Sequence, residues 1–125
     1  MTFEQSQRQT VLLVDDDAML RSLLARALAD EGYSVLTAEN GEQALTLATT
    51  LDGQLGLVVT DIRMPVMNGL ELAAQLACLH PPPPVLFISG FSNDRHVPGP
   101  VLDKPFTPSA FVQQVTRMLP RVQQP

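Results

Sequence analysis

Residues 55–69 read LGLVVTDIRMPVMNG. The apolar run from Leu55 ends on Asp61, and Pro65 and Gly69 follow within eight residues of it. An unbroken apolar run of this length, bounded by turn formers, suits a strand covered on both faces. Such a strand has no ordinary reason to stop on a bare carboxylate, so the question is what Asp61 meets there.

The same pattern recurs on either side. "TVLLVD" (10–15), "YSVLTA" (33–38), "PVLFIS" (84–89) and "PVLD" (100–103) read as further strands. Between them apolar residues fall at helical spacing. Leu20, Leu23, Leu24, Ala27 and Leu28 predict a first helix, with Asp17 as N-cap and Gly32 as stop. Ala44, Leu45, Ala48 and Leu51 predict a second, opened by Asn40 and Gln43 in the manner of a capping box. Leu72, Ala73, Leu76 and Leu79 predict a third, starting near Asn68. Thr107 and Pro108 suit N-cap and first turn of a last helix, whose core face is Phe111, Val112, Val115, Met118 and Leu119. Alternating strands and helices imply an α/β fold with a parallel sheet and right-handed crossovers. Residues 10–120 form the expected domain, with 1–9 and 121–125 as loose ends. "PPPP" (81–84) reads as a stiff, extended loop before the fourth strand.

Composition narrows the function. The 125 residues are 45% hydrophobic, enough for one core, and carry a formal charge of −5. An acidic chain is poorly suited to nucleic acid or an anionic membrane surface. No apolar run reaches the length of a membrane span, and "MTFEQSQRQT" lacks the apolar middle of a signal peptide. Cys78 is the one cysteine and reads as a helix-face filler, which fits a reduced, cytoplasmic setting.

In open parallel sheets ligands bind outside the carboxyl ends of the strands. The expected strands end on Asp15 and Asp16, on Asp61, on Ser89 and just before Lys104. Singly, each has an ordinary reading: an acidic helix start, a turn former, a turn serine, a solvated charge. Together they bring three carboxylates, an ammonium and a hydroxyl to one edge. Clustered carboxylates repel unless a cation lies among them. Oxygen ligands with no His or Cys beside them suit Mg²⁺ rather than zinc. A hard cation and an ammonium around one carboxylate suit phosphoryl transfer, with Asp61 as nucleophile.

"VLLVDDD", "VVTDIRMPVMNGLEL", "VLFISG" and "LDKPF", in that order, resemble the receiver domain of two-component response regulators over roughly residues 10–120. The resemblance implies a flavodoxin-like (βα)5 sandwich with strand order 2-1-3-4-5. It implies that Asp15, Asp16, Asp61 and the backbone carbonyl of Arg63 hold Mg²⁺ or Mn²⁺. Asp61 would accept a phosphoryl group from a histidine kinase or a histidine phosphotransfer protein. Ser89 would be the switch hydroxyl, and Lys104 would pair with Asp61 and then with the phosphate. The Lys104–Pro105 bond would be cis. The domain would catalyse only its own phosphorylation and dephosphorylation, as a monomer or weak dimer acting on a protein target and not directly on nucleic acid.

Two departures stand out. Val101 occupies the place, three residues before the lysine, where the family usually has an aromatic. Only "FSNDRHV" lies between Gly90 and Pro98, against about 11–12 residues for a typical helix. The fourth family helix is therefore expected to be missing or reduced to a turn, with His96 a loop residue. Signalling is then expected to order residues 90–100 locally. The short loop and "FISGF" also resemble receivers attached to hybrid sensor kinases. Two other readings compete with this one. A haloacid-dehalogenase-type phosphatase needs an acidic ligand after the lysine, and no Asp or Glu follows Asp103. A pseudo-receiver that binds partners without phosphorylation would not need the full set of site residues.

Overall fold

The computed structural model describes residues 10–51, 53–90 and 97–120. The expected loose ends at 1–9 and 121–125, and most of the 90–100 segment with Phe91 and His96, lie outside the described residues. Five strands, β1 (Thr10–Val14), β2 (Ser34–Ala38), β3 (Leu55–Asp61), β4 (Val85–Ser89) and β5 (Val101–Asp103), form one parallel sheet in the order β2-β1-β3-β4-β5. Among the described residues four helices connect and follow them: α1 (Ala18–Asp30), α2 (Gly41–Leu51), α3 (Gly69–Leu76) and α4 (Pro108–Met118). The expected order and class are therefore observed, and most strands are one residue shorter than the sequence suggested.

Alternation along the central strands feeds two apolar layers. Val11, Leu13, Val59 and Ile88 face Leu24 and Leu28 of α1 and Phe111 and Val115 of α4. Leu12, Val14 and Val58 face Ala44 and Ala48 of α2 and Leu72 and Leu76 of α3. Both faces are covered, which is why the strands read as continuous apolar runs.

Local signals set the helix ends. Asp17 caps α1 by accepting from the Met19 and Leu20 amides. Gly32, at φ 97°, closes it: its amide reaches Ala29 O while the Tyr33 amide reaches Leu28 O, a Schellman pair that needs a left-handed residue. The expected box on α2 is half formed. Asn40 accepts from the Gln43 amide, but the Gln43 side chain accepts from Glu39 instead of Asn40. Asn68 and Glu71 form the full reciprocal box on α3, and Thr107 caps α4. Leu23 departs from expectation: it is 53% exposed, because α1 turns only Leu24 and Leu28 fully inward. Leu79 lies beyond the end of α3 yet still packs against the lower layer. Between β4 and β5, Gly90 and residues 97–100 carry no helix.

Candidate functional site

The site is built where β1, β3, β4 and β5 end. Asp15 continues β1 by one ladder bond, its amide donating to Ala38 O at 3.1 Å. This places its side chain at the top of the sheet, 1% exposed, while Asp16 points to solvent. Asp61, the last residue of β3, is 7% exposed. One carboxylate oxygen from each of Asp15, Asp16 and Asp61 lies within 4.8 Å of the others. Three like charges so close, two of them buried, call for a compensating cation.

Two features of Asp15 support that reading. Its Oδ1 accepts from the Asp17 amide at 2.9 Å, but its buried Oδ2 has no hydrogen-bond partner. A buried carboxylate oxygen without a partner is costly, and a bound cation would satisfy it. Burial also pushes the Asp15 pKa up from 3.8 to about 6, helped by the neighbouring charges of Asp61 and Asp16 and opposed by the Asp17 amide and Lys104. The donor set is all oxygen, which fits a hard divalent ion. The structure thus gives the cluster a chemistry that a cation would complete.

Asp61 is held from two sides. The Lys104 ammonium lies 3.0 Å from Oδ2, and the Arg63 amide donates to Oδ1 at 3.2 Å. Burial tends to lower the Lys104 pKa, but the bond to Asp61 and the attraction of Asp61, Asp15 and Asp17 outweigh it, leaving it above the ordinary lysine value. Lys104 arrives from β5, where its amide donates to Ser89 O at 2.7 Å. The Lys104–Pro105 bond is cis, as the resemblance implied, and so is His80–Pro81. Ser89 ends β4, 2% exposed, one residue beyond the Asp61–Ile88 register pair.

The loop after Asp61 is folded back tightly beneath it. The Gly69 amide donates to Ile62 O at 2.8 Å, and a Cβ on Gly69 would sit 2.3 Å from Asp61 O. Only glycine allows α3 to start that close to the end of β3. Within the loop, the Met67 amide reaches Pro65 O at 2.8 Å across Val66, a β-branched residue at φ 72°. That conformation is strained for valine and makes the chain turn sharply between Asp61 and α3.

Asp15, Asp16, Asp61, Ser89 and Lys104, singled out from sequence, all stand at the carboxyl ends of the strands. The acids of 15, 16 and 61 come together, Lys104 meets Asp61, and Arg63 meets it through its amide. Three contributors were not anticipated: the Asp17 amide on Asp15, the close approach at Gly69, and Arg21, whose Nη1 donates to Asp15 O at 2.6 Å. Arg21 had a legible signal. Long helical side chains lean toward the N-terminus, so an arginine one turn inside α1 reaches back to the residues that precede it.

An open parallel α/β sheet with an acid cluster and a lysine at its carboxyl rim is the architecture of a phosphoacceptor module. Residues 11–116 match the response regulator receiver domain, and the chain belongs to that family. It is 37% identical over 117 residues to the sensor kinase CckA of Brucella abortus, covering 88% of this chain and 12% of that protein. It is equally 37% identical over 117 residues to the transcriptional regulatory protein CpxR of Klebsiella pneumoniae, covering 89% of this chain and 49% of CpxR. The chain thus spans less than half the length of both relatives. The response regulator TrrA of Thermotoga maritima, solved in complex with Mg²⁺-BeF, superposes with a TM-score of 0.77 at 31% identity, covering 88% of this chain and 98% of that one. The protein is a receiver domain of two-component signalling. No helix among the described residues is long and apolar enough to cross a membrane.

Proposed function

We propose that Asp61 is the phosphoacceptor, and that a phosphohistidine on a histidine kinase or phosphotransfer protein is its donor. The observation that carries this is the position of Asp61: it shares a cluster within 4.8 Å with Asp15 and Asp16 on one side and meets Lys104 at 3.0 Å on the other. Asp15, Asp16 and Asp61, with the carbonyl of Arg63, would hold Mg²⁺ or Mn²⁺. A bound ion there supplies neutralising charge for the phosphoryl oxygens.

The chain's own residues do the rest. An Asp61 carboxylate oxygen attacks phosphorus, the P–N bond breaks, and its electron pair stays on the donor imidazole, which carries a proton on its other ring nitrogen and so leaves neutral. The product is an aspartyl phosphate. Lys104, already paired with Asp61, follows the charge onto the phosphoryl oxygens, and Ser89 donates its hydroxyl to one of them. Attack of water on phosphorus breaks the P–O bond to Asp61, releasing inorganic phosphate and a proton and restoring the carboxylate. The domain therefore catalyses its own phosphorylation and dephosphorylation and turns over no other substrate. Its output passes to a protein target rather than directly to nucleic acid, from a cytoplasmic location, with the domain a monomer or weak dimer and residues 10–120 as the folding unit.

Incubation with acetyl phosphate and Mg²⁺ tests this directly. Intact mass should increase by one phosphoryl group, and the gain should vanish in Asp61→Asn and on chelation of the metal. A wild-type mass that stays unchanged, or an Asp61→Asn protein that is modified equally, overturns the assignment.

A further inference from the structure

We propose that Arg21 is a positioning residue for the divalent-cation site, acting through the peptide that joins its two adjacent acids. The inference rests on the cation site proposed above and concerns a residue outside the set assigned to it.

The carbonyl that Arg21 binds belongs to the peptide between Asp15 and Asp16. Its Nη1 lies 2.6 Å from Asp15 O, a short, charge-assisted bond. The other side of Asp15 is fixed as well, since its amide donates to Ala38 O of β2 at 3.1 Å. Its Oδ1 is fixed in turn by the Asp17 amide at 2.9 Å. Asp17 is itself tied into α1, accepting through its side chain from Met19 and Leu20 and through its carbonyl from the Arg21 amide at 2.9 Å. Arg21 thus closes a ring of bonds: backbone to Asp17, side chain to Asp15, and Asp17 to Asp15.

This matters most for Asp16, which is exposed where Asp15 is buried. The orientation of its carboxylate relative to Asp15 depends on the intervening peptide plane, and Arg21 holds that plane. Asp15 Oδ2 is left without a partner, available to an ion. Partners that orient metal ligands are commonly worth about 10–100-fold in metal affinity.

The charge of Arg21 would act in the opposite direction. A guanidinium near a divalent cation repels it, so removing the charge alone should tighten binding. Loss of positioning should weaken it. The sign of the change therefore separates the two effects.

The test is Mg²⁺ titration of the metal-free protein by calorimetry, with no phosphodonor present, for wild type, Arg21→Met, Arg21→Lys and Leu28→Val. Arg21→Met should bind Mg²⁺ about tenfold more weakly. Arg21→Lys keeps a donor at similar reach and should recover most of the affinity. Leu28→Val loosens α1 through its buried face and lowers Tm, yet should keep the wild-type constant. The proposal is overturned if Arg21→Met binds as well as or better than wild type, if Arg21→Lys is as weak as Arg21→Met, or if Leu28→Val loses as much. A wild-type protein that binds no Mg²⁺ removes the cation site itself, whereas wild-type binding with an unaffected Arg21→Met removes only the role of Arg21.

Discussion

The two halves of the sheet rim are built differently. Where β1 and β3 end, the seven-residue β3 lies between β1 and β4 with Val58, Val59 and Thr60 paired on both sides, Asp15 and Asp61 are buried, and the following loops are tied down by the Asp17 cap, the Asn68–Glu71 box and the contact at Gly69. At the other end β5 has three residues, none of them buried, and among the described residues pairs with β4 alone. The acids stand on the rigid half, and Lys104 is delivered by the thin one. Chemistry that depends on a few tenths of an ångström is placed where the backbone has no freedom. On the function proposed above, the element that would respond to phosphorylation is placed where few contacts need to break.

Glycine substitutions probe this contrast most severely. Gly69→Ala would push a Cβ to 2.3 Å from Asp61 O and 2.9 Å from Ile62 Cα, both backbone atoms that cannot move aside cheaply. A loss of about 3 kcal/mol or more is expected in chemical denaturation, together with loss of Mg²⁺ binding. At Gly99, beside β5, the nearest atoms to an added Cβ are at 3.5 Å, on Phe87 and Val85, which is ordinary contact. Gly99→Ala should change stability by less than about 1 kcal/mol. Equal losses at the two positions would show that the halves are equally constrained.

A matched pair of valines gives a finer measure. Val59 in β3 is fully buried, whereas Val101 in β5 is half-buried and paired in register with Phe87. Val59→Ala should cost about 2–3 kcal/mol through lost contacts and an unfilled cavity. Val101→Ala should cost less than about 1 kcal/mol, because part of the side chain already meets solvent. Denaturation midpoints with unchanged slopes would read both values. A Val101 loss as large as that at Val59 would mean that β5 is held as firmly as the centre of the sheet.

What was legible in the sequence divides along the same physical lines. Strand positions, most helix caps and the polar strand ends were readable because they depend on local period and local hydrogen bonding. Leu23 stays exposed because a five-residue apolar stripe on α1 is wider than the face the sheet covers. The requirement for glycine at 69 could not be read, since it arises from a backbone eight residues away folding back to contact. Nor could the sequence distinguish the acids of "DDD". With β1 covered on both faces, alternation does not say which carboxylate is buried, and only the ladder bond to Ala38 puts Asp15 inside.

That buried acid makes the last of the predicted effects, and one with an unusual sign. In the metal-free protein the folded state holds the Asp15 proton more tightly than the unfolded chain, with a pKa of about 6 against 3.8. Its contribution to stability is therefore best below about pH 4, declines as pH rises to about 6, and stays at the lower level above that. The span from 3.8 to about 6 corresponds to about 3 kcal/mol, reduced where the structure relaxes. Asp15→Asn keeps an oxygen for the Asp17 amide but cannot ionise, and should raise metal-free stability at pH 7.5 by about 1–3 kcal/mol. At pH 4 the gain should disappear. Saturating Mg²⁺ should reverse the ranking, because it stabilises the wild type by about 2.7 kcal/mol at a hundred times its dissociation constant and binds the variant poorly. Thermal unfolding of both proteins at the two pH values, with and without Mg²⁺, reads all of these differences. A wild type that is the more stable of the two at pH 7.5 without metal would mean that the carboxylate at the end of β1 is already neutralised by the protein itself, and that the rigid half of the rim is not waiting for a cation.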